Sequence, residues 1–258
     1  MTAKMHRIHI PNVGEGVLHI PGGVPYEVVP VAEALTRYIP GSYVRLGNKG
    51  FVYATAGNSL IPDVGAKQAN NQKIGNVAIA VKALVGATEL KITSDVSVTE
   101  DQLKGGEVVV FPGPANKAFT RGIIGNDGMT ATATLTLQLD SPIPCEVVVA
   151  GSSAEVMLNP YVGVMQENNE WRPVMGMPTV VATVGQGLWL QVEGISWCAP
   201  EAEVGAAVND LEVCFAGNGS LMRRDTNALG QQRAGMVIAP NKTGNGQGAP
   251  FIMLNIDH

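Results

Sequence analysis

Charged side chains are scarce in this sequence: Asp, Glu, Lys and Arg make up 15% of its 258 residues, against a typical ~25%. So few charges leave wide neutral areas, which a partner can cover without desolvating many ions. The 17 Lys and Arg set against 22 Asp and Glu give a net charge of −5. No cluster of cations is dense enough to neutralise a phosphate backbone or hold an anionic membrane, so neither a nucleic-acid nor a membrane partner is expected. The densest basic spot, Arg223-Arg224, is followed at once by Asp225 and reads as a solvated turn.

Cysteine is far rarer still. The three present, Cys145, Cys198 and Cys214, have no CxxC spacing and an odd total, which argues against a disulfide framework or a zinc knuckle and for buried free thiols. Of the four histidines, His6 and His9 stand three apart, on opposite faces of a strand, so no metal site is expected. GxSxG, HExxH and a phosphate-cradling GK[ST] loop are all missing. Acids are spread thinly, as in Glu100-Asp101 and Glu201 with Glu203. A sugar-hydrolysing pair could still assemble from distant strands. No run approaches the eighteen or so apolar residues of a spanning helix, and MTAKMHRIHIPNVGEG lacks an export signal, which makes a reducing cytosol the default. The expectation is a protein with no catalytic residues and no cofactor.

What the chain has in quantity is turn formers, 31 Gly and 16 Pro, placed between apolar runs of about five to eight residues. From Pro173 it reads PVMGMPTVVATVGQGLWLQVEG, then LEVCFAGNGSL, AGMVIAP and APFIMLNI. In the clearest strand, Ala131 to Leu139, Ala131, Ala133, Leu135, Leu137 and Leu139 face one way and three threonines with Gln138 the other. CEVVVAG is expected to continue after the reversal at Ser141 to Pro144. About fifteen strands are too many for one flat sheet. The predicted fold is therefore all-β, with antiparallel sandwich or barrel lobes.

Residues 1–50 differ, with five prolines and one candidate helix, VAEALTRY from Val31 to Tyr38. They read as an extended N-terminal arm lying on its own domain or on a neighbour, with edge strands of the same domain as the alternative. Lobes are expected at 51–158 and 159–258, the break falling at Asn159-Pro160. Trp171 stands in a polar loop, NNEWRP. Trp189, in LWLQV, faces away from Leu188 and Leu190 and reads as core of the opposite layer. Asn218-Gly219-Ser220 and Asn241-Lys242-Thr243 match the glycosylation triplet but read as turns.

In the second half, Gly185-Gln186-Gly187 runs into LWLQVEG, Val204-Gly205 follows, then Gly219-Ser220-Leu221, Gly235-Met236-Val237-Ile238-Ala239 and a closing FIMLNI. This pattern resembles the closing lobe of head-decoration, or cement, proteins of tailed bacteriophages, and FVYATAGNSL with NPYVGV is similar to larger virion structural proteins of such phages. Met236 and Val237 depart from the alanine-rich strand of that group, and the first 50 residues have no counterpart in it. The resemblance implies a β-tulip-like C-terminal lobe and a non-enzymatic protein, made in the host cytoplasm and carried on the capsid surface of the virion. It would bind the major capsid protein and itself, commonly as a trimer, and clamp neighbouring subunits. Met5, Ile8, Ile10, Val17 and Ile20 of the arm, together with Trp171, are the candidate capsid or oligomer contacts. The alternatives are another phage structural protein (major capsid, head fibre or tail component) with a host- or glycan-binding role, and a β-sandwich enzyme acting on polysaccharide.

Overall fold

The computed structural model describes residues 5–10, 14–19, 38–69, 73–113, 117–201, 204–205, 211–224, 231–239 and 250–256. Among these there is no helix, and the strands pair antiparallel, in keeping with an all-β sandwich or barrel. The candidate helix at 31–38 falls outside the described residues except for Tyr38. In chain order the strands are β1 (Met5–Ile10), β2 (Gly14–His19), β3 (Tyr43–Leu46), β4 (Lys49–Thr55), β5 (Ala66–Lys67) and β6 (Lys73–Ala78). Next come β7 (Glu89–Ser94), β8 (Glu107–Phe111), β9 (Phe119–Asn126), β10 (Ala133–Leu139), β11 (Ser153–Met157) and β12 (Val174–Pro178). The last are β13 (Gly187–Trp197), β14 (Glu212–Phe215), β15 (Leu221–Arg223), β16 (Arg233–Ala239) and β17 (Phe251–Asn255).

Two compact units divide the chain. Unit 1 comprises 1–10, 15–69 and 161–258, and unit 2 comprises 11–14 and 70–160. Unit 2 thus ends at Pro160, two residues past the expected lobe end at 158, whereas residues 51–69 lie with the C-terminal segment. The reason is strand pairing: Phe51 to Thr55 of β4 match Gln191 to Gly187 of β13 in antiparallel register.

Unit 1 is built on one large sheet, in the order β15-β14-β16-β17-β13-β4-β3-β1-β2, with β12 branching from β13 to β5. β13 is its spine. On β13 and β4, alternate side chains bury into different layers. Leu188 and Leu190 join Ala54, Leu60 and Val164, while Trp189 joins Val44, Phe51 and Tyr53. Trp189 and Tyr53 meet edge to face at 5.2 Å between centroids, so this tryptophan is core of the opposite layer, as LWLQV suggests. β1 pairs with β3, Ile8 opposite Val44 and His9 opposite Tyr43, so this part of the N-terminal segment is laid against its own sheet.

Unit 2 is a six-stranded sheet, β6-β11-β8-β9-β10-β7. An antiparallel bridge between Ile79 and Ile92 joins the two ends and curls the sheet towards a barrel around Leu90, Ile92, Val108, Ile123, Leu135 and Val156. Curling leaves few free edges. The alternation read at 131–139 holds from Leu135 onward; Ala131 and Ala133 are exposed, because Thr132 at φ +68° turns the chain just before β10. CEVVVAG does not form a strand. It makes a single bridge, Val147 to Ala83, and the chain turns away at Gly151, φ +78°.

Candidate interaction surface

Loop 166–173 is tied at both ends to one residue. Lys67 bridges Met165 on one side and pairs with Val174 of β12 on the other. Its side chain is only 2% exposed, and its ammonium donates to the Asn169 carbonyl at 2.5 Å and to the Gly217 carbonyl. Burial pushes the Lys67 pKa down, against the pull of Glu167 and Glu170. Asn169 N–H donates to the Gly217 carbonyl at 2.7 Å, and Arg172 pairs with Glu167 at 2.6 Å, both largely covered. The Asn169 side-chain oxygen accepts the Trp171 N–H at 3.0 Å, an Asx turn that fixes the crest. On this crest Trp171 is 95% exposed, with Glu170 exposed beside it. A large apolar ring on a braced loop is the physical form of a binding anchor, since little freedom remains to be lost on contact.

A second feature lies on the outer face of β13, β17 and β16. Register places Ile195 opposite Met253, and Met253 opposite Met236, and all three are exposed, as are Ile238 and Phe251. Next to the two methionines is a depression of about 440 Å³, lined also by Arg45, Asn48, Glu193, Arg233 and Asn255. Gly194 and Gly235 are among its lining residues, so part of its wall is bare backbone. A Cβ on Gly235 would run into the Met253 carbonyl oxygen. The rim carries both signs: Arg45 pairs with Glu193 at 2.6 Å and Arg233 with Glu212 at 3.0 Å. Tyr43 Oη donates to Glu193 at 3.2 Å, and burial and that carboxylate hold its phenol above its ordinary pKa.

Each unit also ends in an apolar turn. Ala83 bridges Val147 in unit 2, and Ala182 bridges Leu60 in unit 1. The next residues reverse by a turn closed from Ala87 N–H to the Leu84 carbonyl, and from Gln186 N–H to the Thr183 carbonyl, both at 3.1 Å. Gly86 at φ +87° and Gly185 at φ +81° sit third, the position that needs glycine in a type II turn. The second position carries Val85, 64% exposed, and Val184, 71% exposed. Val81, Leu84 and Val149 are exposed with Val85, and Ile61 and Val181 with Val184. Lys82 is neutralised by Glu146 at 2.9 Å.

Of the residues singled out from sequence, Met5, Ile8 and Ile10 belong to β1 and Val17 to β2, while Ile20 lies outside the described residues. Trp171 is the one whose surroundings are described in full. Neither the turn tips nor Lys67 was singled out. VG dipeptides between strands signal such turns, but a lone lysine in DVGAKQANN carries no sign of burial. Among the described residues no group of three His, Cys, Asp or Glu could hold a metal. Glu107 and Asp140 share a depression of about 220 Å³ in unit 2. Both are exposed, and the hollow is smaller than the ~300–1,000 Å³ of ligand sites. It does not enclose an acid pair around a sugar. No family model, curated protein or solved structure matches the chain.

Proposed function

We propose that this chain is a non-enzymatic structural protein of a virus particle, one that binds the outer surface of a phage capsid and cements neighbouring copies of the major capsid protein. The observation that carries the reading is the pair of apolar turn tips, Leu84-Val85 and Thr183-Val184. Exposed valine and leucine gathered around one turn, as Val81, Leu84, Val85 and Val149 are, make an apolar patch of the kind that marks a contact with another protein. Both tips stand on bridged, hydrogen-bonded turns, so docking orders little that is not already ordered. Scarce charge supports the same reading, since neutral β surfaces can be covered without stranding ions. Several copies joined together would add avidity of ~10²–10⁴ if all engage at once.

The test is co-sedimentation with expanded, empty heads, and the melting temperature of those heads with and without the protein. Binding and a raised melting temperature are expected for the native chain. Leu84→Asp with Val85→Asp should weaken binding by roughly 30-fold or more, the effect of losing a contact hot spot, while the variant protein still folds because both sites are exposed. Deleting residues 1–25 separates the arm's share. Heads that neither retain the chain nor gain thermal stability would end this reading.

A further inference from the structure

Trp171 and the depression between Met236, Met253 and Arg45 belong to the same chain but do not meet within it: the indole is 95% exposed, and it is not among the residues lining the hollow. We propose that Trp171 of one copy inserts into this depression on a second copy, so that the protein self-associates head to tail. This goes beyond the capsid reading and does not depend on it.

The hollow suits an aromatic ring on each side. Part of its wall, at Gly194 and Gly235, has no side chains to hold a flat ring away from the backbone. Met236 and Met253 offer thioethers, which make favourable contacts with aromatic edges at ~5 Å. Arg45 and Arg233 stand at the rim, both about half-exposed, where a guanidinium can lie over an indole face. Glu193, Asn48 and Asn255 supply acceptors for the indole N–H.

Charge matches as well. Arg45 is spent on Glu193 while Arg224 and Arg233 share Glu212, which leaves one positive charge beside the rim. On the loop Arg172 is spent on Glu167, and the exposed Glu170 next to Trp171 brings one negative charge. Asn169 spends its side-chain oxygen on the Trp171 backbone N–H, which holds the ring at the crest. Made once between two copies, head to tail, the contact is heterologous. Repeated, it closes a ring or runs on as a filament.

A mixing experiment on the full-length chain tests this by light scattering after size exclusion. Trp171→Ala removes the knob at an exposed site. Met253→Glu puts a charge into the hollow at another exposed site, and Met236→Lys serves in its place if that variant melts early. Native protein is expected to assemble, and each variant alone to run as a 27.0 kDa monomer, with the dissociation constant raised roughly 30-fold or more. Mixed in equal amounts, the two variants retain one good knob and one good hollow between them. They should give a species of two chains and nothing larger. A monomeric native protein, a Trp171→Ala variant that assembles normally, or a mixture that stays monomeric would each overturn the proposal. Native assembly through the sheet face alone, symmetric about a two-fold axis, would appear as the second of these results. Capsid binding is read separately: monomeric Trp171→Ala should still load onto heads through its turn tips, only more weakly for lack of avidity.

Discussion

Cys198 is buried in unit 1, its thiol 3.7 Å from the Gly219 carbonyl, and burial with Asp63 nearby drives its pKa far up. A group whose folded pKa is raised contributes stability below its unfolded pKa and loses it as pH rises. Unfolded chains lose this proton near pH ~8.5, so each further pH unit should favour unfolding by about 1.4 kcal/mol until the folded thiol titrates. Cys198→Ala should flatten the fall in unfolding free energy between pH 8.5 and 10, measured by urea titration; an unchanged slope would contradict this account. Lys67 works in the opposite sense over the alkaline range, since its folded pKa is lowered. Lys67→Met removes both bonds to the loop carbonyls and should cost about 1–3 kcal/mol, seen as a lower urea midpoint with faster protease cleavage of loop 166–173. At this scale legibility was uneven. Trp189 could be placed from its neighbours because alternation alone assigns a face. Lys67 could not, because its burial comes from segments about a hundred residues away, at Met165 and Asn169.

Among the elements, β13 carries the most. Its first half pairs with β4 and β12, its second half with β17, and the register slips between Gln191 and Glu193 where it changes partners. Val192 at the slip still accepts the Ile256 N–H at 2.9 Å. Leu190 is fully buried on this strand; Leu190→Ala should lower unfolding free energy by about 2–5 kcal/mol. β13 was readable because an apolar run starting from a glycine turn has one strong interpretation. CEVVVAG had the same composition and failed. What the pattern lacks is the partner: a run becomes a strand only when a neighbour offers a free ladder, and here pairing stops at the single bridge of Val147 to Ala83.

The whole molecule holds separate cores. All buried residues around Leu135 fall within 70–160, and those around Leu190 within the segments of unit 1. Calorimetry should therefore resolve two transitions, Leu135→Ala lowering one and Leu190→Ala the other by at least several degrees. A single transition shifted equally by both would show that the cores melt together. The break at Pro160 was legible as a polar interruption. That residues 51–69 belong with the far end of the chain was not, because only long-range pairing encodes it: β4 with β13, β5 with β12, and the bridges of Ala56, Leu60 and Lys67. This discontinuity imposes an order on synthesis. When β4 leaves the ribosome its partner is ~130 residues from being made, which at ~5–20 residues per second is a wait of roughly 7–26 s. Unit 2 emerges whole in that interval and can fold first, while Phe51, Val52 and Tyr53 have only β3 to pair with on one edge and leave the other open to chaperones until β13 arrives.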